Sequence, residues 1–191
     1  KKKPFEAVYE GSLPEQADVA NALTFSILRN QYETLFFNVY SRLDITEANV
    51  QISDLDSPGA VINSSDIQLK VVHNWFQSGR FSAFRDVLAI YVPELLLDDD
   101  RIDFTEQEWA HNNLPQFATH KGAWTSMQSN TAKQFAIIVH VPEGQVPGAY
   151  SGTVTFTTDT NVVKTLPVNI EVLTPVLPDI DKYVGIYHES I

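Results

Sequence analysis

The chain has 191 residues, enough for one large domain or for a domain with an appendage. Its apolar fraction of 43% supports a packed core and excludes disorder as a global description. A net charge of −11 repels a phosphate backbone and argues against nucleic acid as a partner, and the absence of cysteine excludes disulfides and thiolate zinc sites.

Residues 1–20 read as a lead-in. Lys1-Lys2-Lys3 resembles the charged start of a signal peptide, but Pro4, Glu6 and Glu10 follow where an apolar segment belongs, so any leader is expected to have been removed. Ser12-Leu13-Pro14-Glu15 predicts a short capped helical turn. A β-domain is then expected over residues 21–173. Leu23, Phe25 and Ile27 alternate with polar or small residues, and Thr34 to Tyr40 is a second apolar run rich in aromatics; both read as strands. Between them, Asn30 suits a left-handed turn, and Arg29 is expected to pair with Glu33 across it.

Val50 and Ile52 mark a short strand before the turn-rich stretch Ser53 to Gly59. Ile67, Leu69, Val71, His73 and Trp75 alternate with Gln68, Lys70, Val72 and Asn74, the cleanest half-buried strand of the first half. Residues 80–130 lose this regularity and read as a long insertion, with a capping box at Thr105-Glu106-Gln107-Glu108; long irregular stretches are where binding surfaces are sought. Pro93 and Glu94 break the longest apolar run, around Val87 to Leu97, so no membrane-spanning helix is expected and the chain reads as soluble.

Phe135, Ile137, Val139 and Val141 then define a strand that ends at Pro142. Pro147-Gly148 is a turn, after which Thr153, Thr155 and Thr157 alternate with Val154 and Phe156. Leu166, Val168, Ile170 and Val172 form one face of a third strand, at an edge or next to one because it contains Pro167. The three are expected to make one antiparallel unit. Residues 174–181 read as a stiff linker around Pro175 and Pro178, and residues 182–191 as the start of a truncated following domain.

The candidate chemistry is sparse. Asp98-Asp99-Asp100-Arg101-Ile102-Asp103 is the densest acidic run, but it lacks the glycine and distal glutamate of a calcium loop, so a solvated loop is expected and no metal is assigned. His73, His111, His120, His140 and His188 show no ligand spacing, and no glycine-rich loop cradles a phosphate. No cofactor is expected. Sugar rings stack on exposed aromatic faces, and Trp75, Phe76, Trp109 and Trp124 fall in or beside the irregular stretch. They are the candidates for carbohydrate contact or for packing against another domain.

The serial order Arg29…Tyr32-Glu33, Ile52-Ser53-Asp54-Leu55, Trp75-Phe76-Gln77-Ser78-Gly79, Pro93-Glu94-Leu95-Leu96-Leu97 and Val141-Pro142-Glu143…Pro147-Gly148-Ala149-Tyr150-Ser151-Gly152 resembles a known arrangement. It is similar to the β-sandwich domain that precedes the TIM barrel in bacterial glycoside-hydrolase-like proteins related to glycoside hydrolase family 123. The resemblance covers roughly Leu23 to Pro178. It implies an accessory domain, with the catalytic carboxylates in a downstream barrel and none in this chain. The expectation is therefore an all-β, immunoglobulin-like antiparallel sandwich that partners a barrel in cis, contacts polysaccharide, and works outside the cell, at its surface or in the periplasm. The alternatives are an autonomous carbohydrate-binding module and a structural or adhesive surface domain.

Overall fold

A computed structural model describes residues 8–9, 11–15, 19–79, 88–101 and 122–179, with backbone alone at 75–79, 88–91 and 94. Among these residues the chain forms β-strands and no α-helix. In chain order they are β1 (Leu23–Arg29), β2 (Gln31–Ser41), β3 (Ile45–Ile52), β4 (Leu55–Ser57), β5 (Ala60–Ile62), β6 (Ile67–Gly79), β7 (Leu88–Leu97), β8 (Ala123–Met127), β9 (Thr131–Val141), β10 (Gly148–Thr158) and β11 (Val163–Val176). One sheet has the order β1-β11-β10-β3-β8, with the β4–β5 ribbon attached to β10; the other has the order β2-β9-β6-β7. Pairing is antiparallel except between β1 and β11, which run parallel. The fold is an all-β sandwich, as the alternation predicts. No helix among the described residues is long and apolar enough to cross a membrane.

The core lies where the period-two faces meet. Phe135, Ile137, Val139 and Val141 of β9 are fully buried, facing Val154, Phe156, Val168, Ile170 and Val172 of the other sheet. At the centre Phe135 stacks on Phe37 at 5.3 Å between ring centroids and meets Phe156 edge-on at 6.3 Å, both within the favourable range for aromatic pairs.

Several expectations need correction. The strands β9, β10 and β11 are not one antiparallel unit: β9 lies in the second sheet, and the chain crosses between the sheets through residues 142–147. Gln145 N donates to the Pro142 carbonyl, and the Tyr150 hydroxyl donates back to the Val146 carbonyl at 2.6 Å, a bond of the tyrosine-corner kind that fixes such crossings in immunoglobulin-like sandwiches. The stretch 80–130 also contains sheet, since β7 and β8 fall within it. Pro93 concealed β7. It sits at a register shift opposite Asn74 on an edge strand, where a missing N–H is tolerated.

The turn between β1 and β2 is one residue, Asn30, held in the left-handed region at φ 60°. Arg29 does not pair with Glu33. Its guanidinium donates to the carbonyls of Thr174 and Glu143 instead. Strand β11 continues through Val176, so the expected linker begins inside the sheet; Pro175 lies where Ile27 pairs with Val172 and Arg29 with Val176, an irregularity that needs no N–H from it. Pro167 precedes the first β1 partner, Val168, on a strand one in from the edge. Ser12 to Glu15 form no helical turn; Ser12 closes a turn back to Tyr9. The capping box at Thr105, together with the segment 182–191, lies outside the described residues.

Candidate functional site

On β3, Ala48 and Val50 are buried, so the residues between and beside them, Glu47, Asn49 and Gln51, stand on the outer face of the first sheet. On β8, Ala123 and Thr125 point inward and Trp124 outward. The register aligns these positions. Asn49 is opposite Trp124 on one side and Thr157 of β10 on the other, giving a cross-strand row of indole, amide and hydroxyl. Glu47, Gln51 and Asp159 complete a groove of about 280 Å³ around that row. Asp159 is held there by its backbone N–H, which donates to the Glu47 carbonyl, and by a hydrogen bond from the Thr46 hydroxyl to its carboxylate.

Behind Trp124 the acidic run is built into the structure. After β7 leaves the edge of the second sheet, its continuation pairs with β8 at the edge of the first: Trp124 N–H donates to the Asp98 carbonyl and Asp100 N–H to the Trp124 carbonyl. Residues 98–100 therefore close one side of the sandwich, and each of their three carboxylates meets a cation. Asp98 pairs with Lys70 of β6 at 2.7 Å, Asp99 with Arg101 at 2.9 Å, and Asp100 with Lys133 of β9 at 2.7 Å. Arg101 also bonds Glu47, and its guanidinium lies 4.7 Å from the centre of the Trp124 ring.

The expected solvated loop is thus corrected at Asp99 and Asp100, both buried. No three metal-binding side chains converge among the described residues. Burial pushes the Asp100 carboxyl upward, but His73 beside it and Lys133 outweigh this, and the group titrates below its ordinary range. Arg101 is raised, chiefly by its hydrogen bond to Asp99.

Of the aromatic candidates, Trp124 is half-buried in this groove. Trp75 and Phe76 lie on β6, their backbones opposite Val92 and Tyr91, in the other sheet; their side chains, and Trp109 entirely, lie outside the described residues. His73 belongs to the ionic cluster and His140 stacks on Tyr32 at 4.2 Å. Sequence reasoning did not single out Glu47, Asn49, Gln51 or Thr157. The polar alternation of Glu47-x-Asn49-x-Gln51 around buried Ala48 and Val50 is the signal that marks them as one outward row.

A second construction sits where the sandwich ends. Besides the Arg29 bonds to Thr174 and Glu143, Leu177 N–H donates to the Arg29 carbonyl, and the Asn30 side chain donates to the Leu177 carbonyl at 3.0 Å and to the Asp179 carboxylate at 2.8 Å. The segment leaving β11 is therefore clamped to the β1–β2 turn.

No protein-family model matches the sequence, and no curated protein matches it. Among solved structures, a family 123 glycoside hydrolase from Clostridium perfringens, studied for glycolipid glycan hydrolysis, superposes on 90% of this chain with a TM-score of 0.64 at 15% identity. A PapD-like domain of human CEP192 matches more loosely, with a TM-score of 0.37 at 8% identity over 91% of this chain and 97% of its own. The likeness to the hydrolase is one of fold. The present chain spans 26% of the length of that hydrolase chain.

Proposed function

We propose that this chain is a non-catalytic accessory β-sandwich domain of a glycoside-hydrolase-like protein, packed on a catalytic barrel that follows it in the same polypeptide and orienting that barrel. The observation that carries the reading is the superposition of nearly the whole chain on about a quarter of a family 123 hydrolase. Two features support it. Asp98, Asp99 and Asp100, the described carboxylates of the densest acidic run, are committed to lysine and arginine partners, which leaves them unsuited to act as an acid and nucleophile pair. The clamp of Arg29 and Asn30 on residues 174–179 gives the departing chain a fixed direction, which an orienting arm requires and a flexible linker would not provide.

On this reading the protein acts outside the cytoplasm, where polysaccharide is met. The test is to purify the 191-residue chain and the full product of its gene and assay both on a panel of aryl glycosides. Hydrolysis by the longer protein alone, with barrel-coding sequence after Ile191, is the expected result. Turnover by the 191-residue chain, or a gene without a barrel, overturns the proposal.

A further inference from the structure

We infer that the end of the sandwich from which the chain departs is the seat of the domain that follows Asp179 in the same polypeptide. The inference rests on the accessory-domain reading and gives it a surface. Three segments meet at this end: the β1–β2 turn at Asn30, the passage 142–147 between the sheets, and the β4–β5 ribbon. Each presents a large apolar side chain to solvent. Tyr32 is 67% exposed, Val146 52%, Val61 41% and, on the departing segment, Leu177 39%. Pro142, Pro147 and Pro178 are exposed among them.

Single apolar residues on a surface are ordinary, but these belong to one frame. Asn30 N–H donates to the Val141 carbonyl, the Arg29 guanidinium to the Glu143 carbonyl, the Gln145 side chain to the Val61 carbonyl at 3.1 Å, and Leu177 N–H back to the Arg29 carbonyl. The Tyr32 ring is held against His140 at 4.2 Å. The apolar groups are therefore fixed before a partner arrives, which lowers the entropy lost on docking.

The occupant follows from connectivity. Arg29 and Asn30 hold residues 174–179 against this same end, so whatever the chain builds after Asp179 begins beside the exposed cluster and meets it at the high effective concentration of a short tether. The charge gives its complement. Exposed Glu143 and Asp179 rim the surface while Arg29 directs its donors to carbonyls, so the face that docks here is apolar at its centre and basic at its edge.

The test compares hydrogen–deuterium exchange in the 191-residue chain and in the full product of its gene. Peptides covering residues 30–34 and 142–147 are expected to exchange roughly tenfold more slowly in the longer protein, while 42–46 and 159–163 at the opposite end, where Leu43 and Val163 are exposed, exchange alike in both. Combining Tyr32→Ser with Val146→Lys should abolish that protection and raise the radius of gyration of the full product, whereas Leu43→Ser with Val163→Lys should do neither. All four positions are exposed, and an unchanged urea midpoint of the 191-residue chain checks that the fold is kept; if the midpoint falls, the unmodified proteins still decide the question. Protection confined to another face, with an active barrel present, overturns this inference and leaves the accessory-domain reading standing. A gene with no following domain overturns both. Protection of the shorter chain that grows with its concentration assigns the surface to a second copy and overturns the inference.

Discussion

Gly152 shows how tightly single side chains are specified. A Cβ at this position would lie 2.6 Å from the Asp54 carbonyl oxygen, 2.6 Å from the Leu55 side chain and 2.8 Å from the Ser53 hydroxyl, because β10 passes here against the junction of β3 and β4. Two of those atoms belong to backbone or to a fully buried side chain and have little room to yield. Gly152→Ala is therefore expected to destabilise the fold by about 1–3 kcal/mol, the usual cost of overpacking. Urea unfolding should show a lower midpoint at unchanged slope, and an unmoved midpoint would contradict the argument. At the same scale, the alternation of Glu47, Asn49 and Gln51 made their outward facing readable from the sequence. Their meeting with Trp124 and Thr157 was not readable, because Asn49 and its cross-strand partner Trp124 lie far apart in the chain, and register between distant strands leaves no local trace.

Among elements, the passages between the two sheets carry the architecture. The shortest is Asn30, which ends β1 in one sheet and starts β2 in the other within a single left-handed residue. Its side chain then holds Leu177 and Asp179. Glycine would keep the backbone geometry and lose only the side-chain bonds, whereas a β-branched residue would lose the bonds and meet steric strain as well. Asn30→Val is accordingly expected to cost roughly 1–2 kcal/mol more than Asn30→Gly in denaturant unfolding. Equal effects would mean that the turn relaxes away from its left-handed conformation. A single asparagine between two apolar runs was legible as a turn, but a hairpin and a switch of sheet look alike at that level. The proline in β7 misled for a related reason, since an edge strand with a register shift reads as an interrupted strand until its neighbour is known.

Across the whole molecule, the segment 98–101 fastens the open side of the sandwich, with Lys70 and Lys133 reaching it from the second sheet and Trp124 and Glu47 from the first. Asp100 titrates lower in the folded chain than its ordinary value of 3.8, so between the two values the unfolded chain binds the additional proton. The stability contributed by this carboxylate is complete above the ordinary value and is lost as pH falls through the folded one. Comparing unfolding free energies of the wild type and Asp100→Asn from pH 7 downward should show two effects: a variant destabilised by roughly 1.5–3 kcal/mol at neutral pH, from loss of the charge-assisted bond to the half-buried Lys133, and a smaller acid loss in the variant than in the wild type. Parallel pH profiles for the two proteins would remove Asp100 from the account.

Alternation along the chain determined, without any coordinates, that this protein is built from strands and which side of Phe135, Ile137 and Val139 or of Val168 and Ile170 faces a core, because side-chain direction in a strand depends only on the residue's own place in the pleat. It did not determine which sheet each strand joins, that Asp99 and Asp100 are buried against cations, or that Trp124 shares a groove with Asn49. Those outcomes belong to the tertiary structure, because they depend on which distant strand supplies the neighbouring hydrogen bonds, and an apolar face alone is compatible with either sheet.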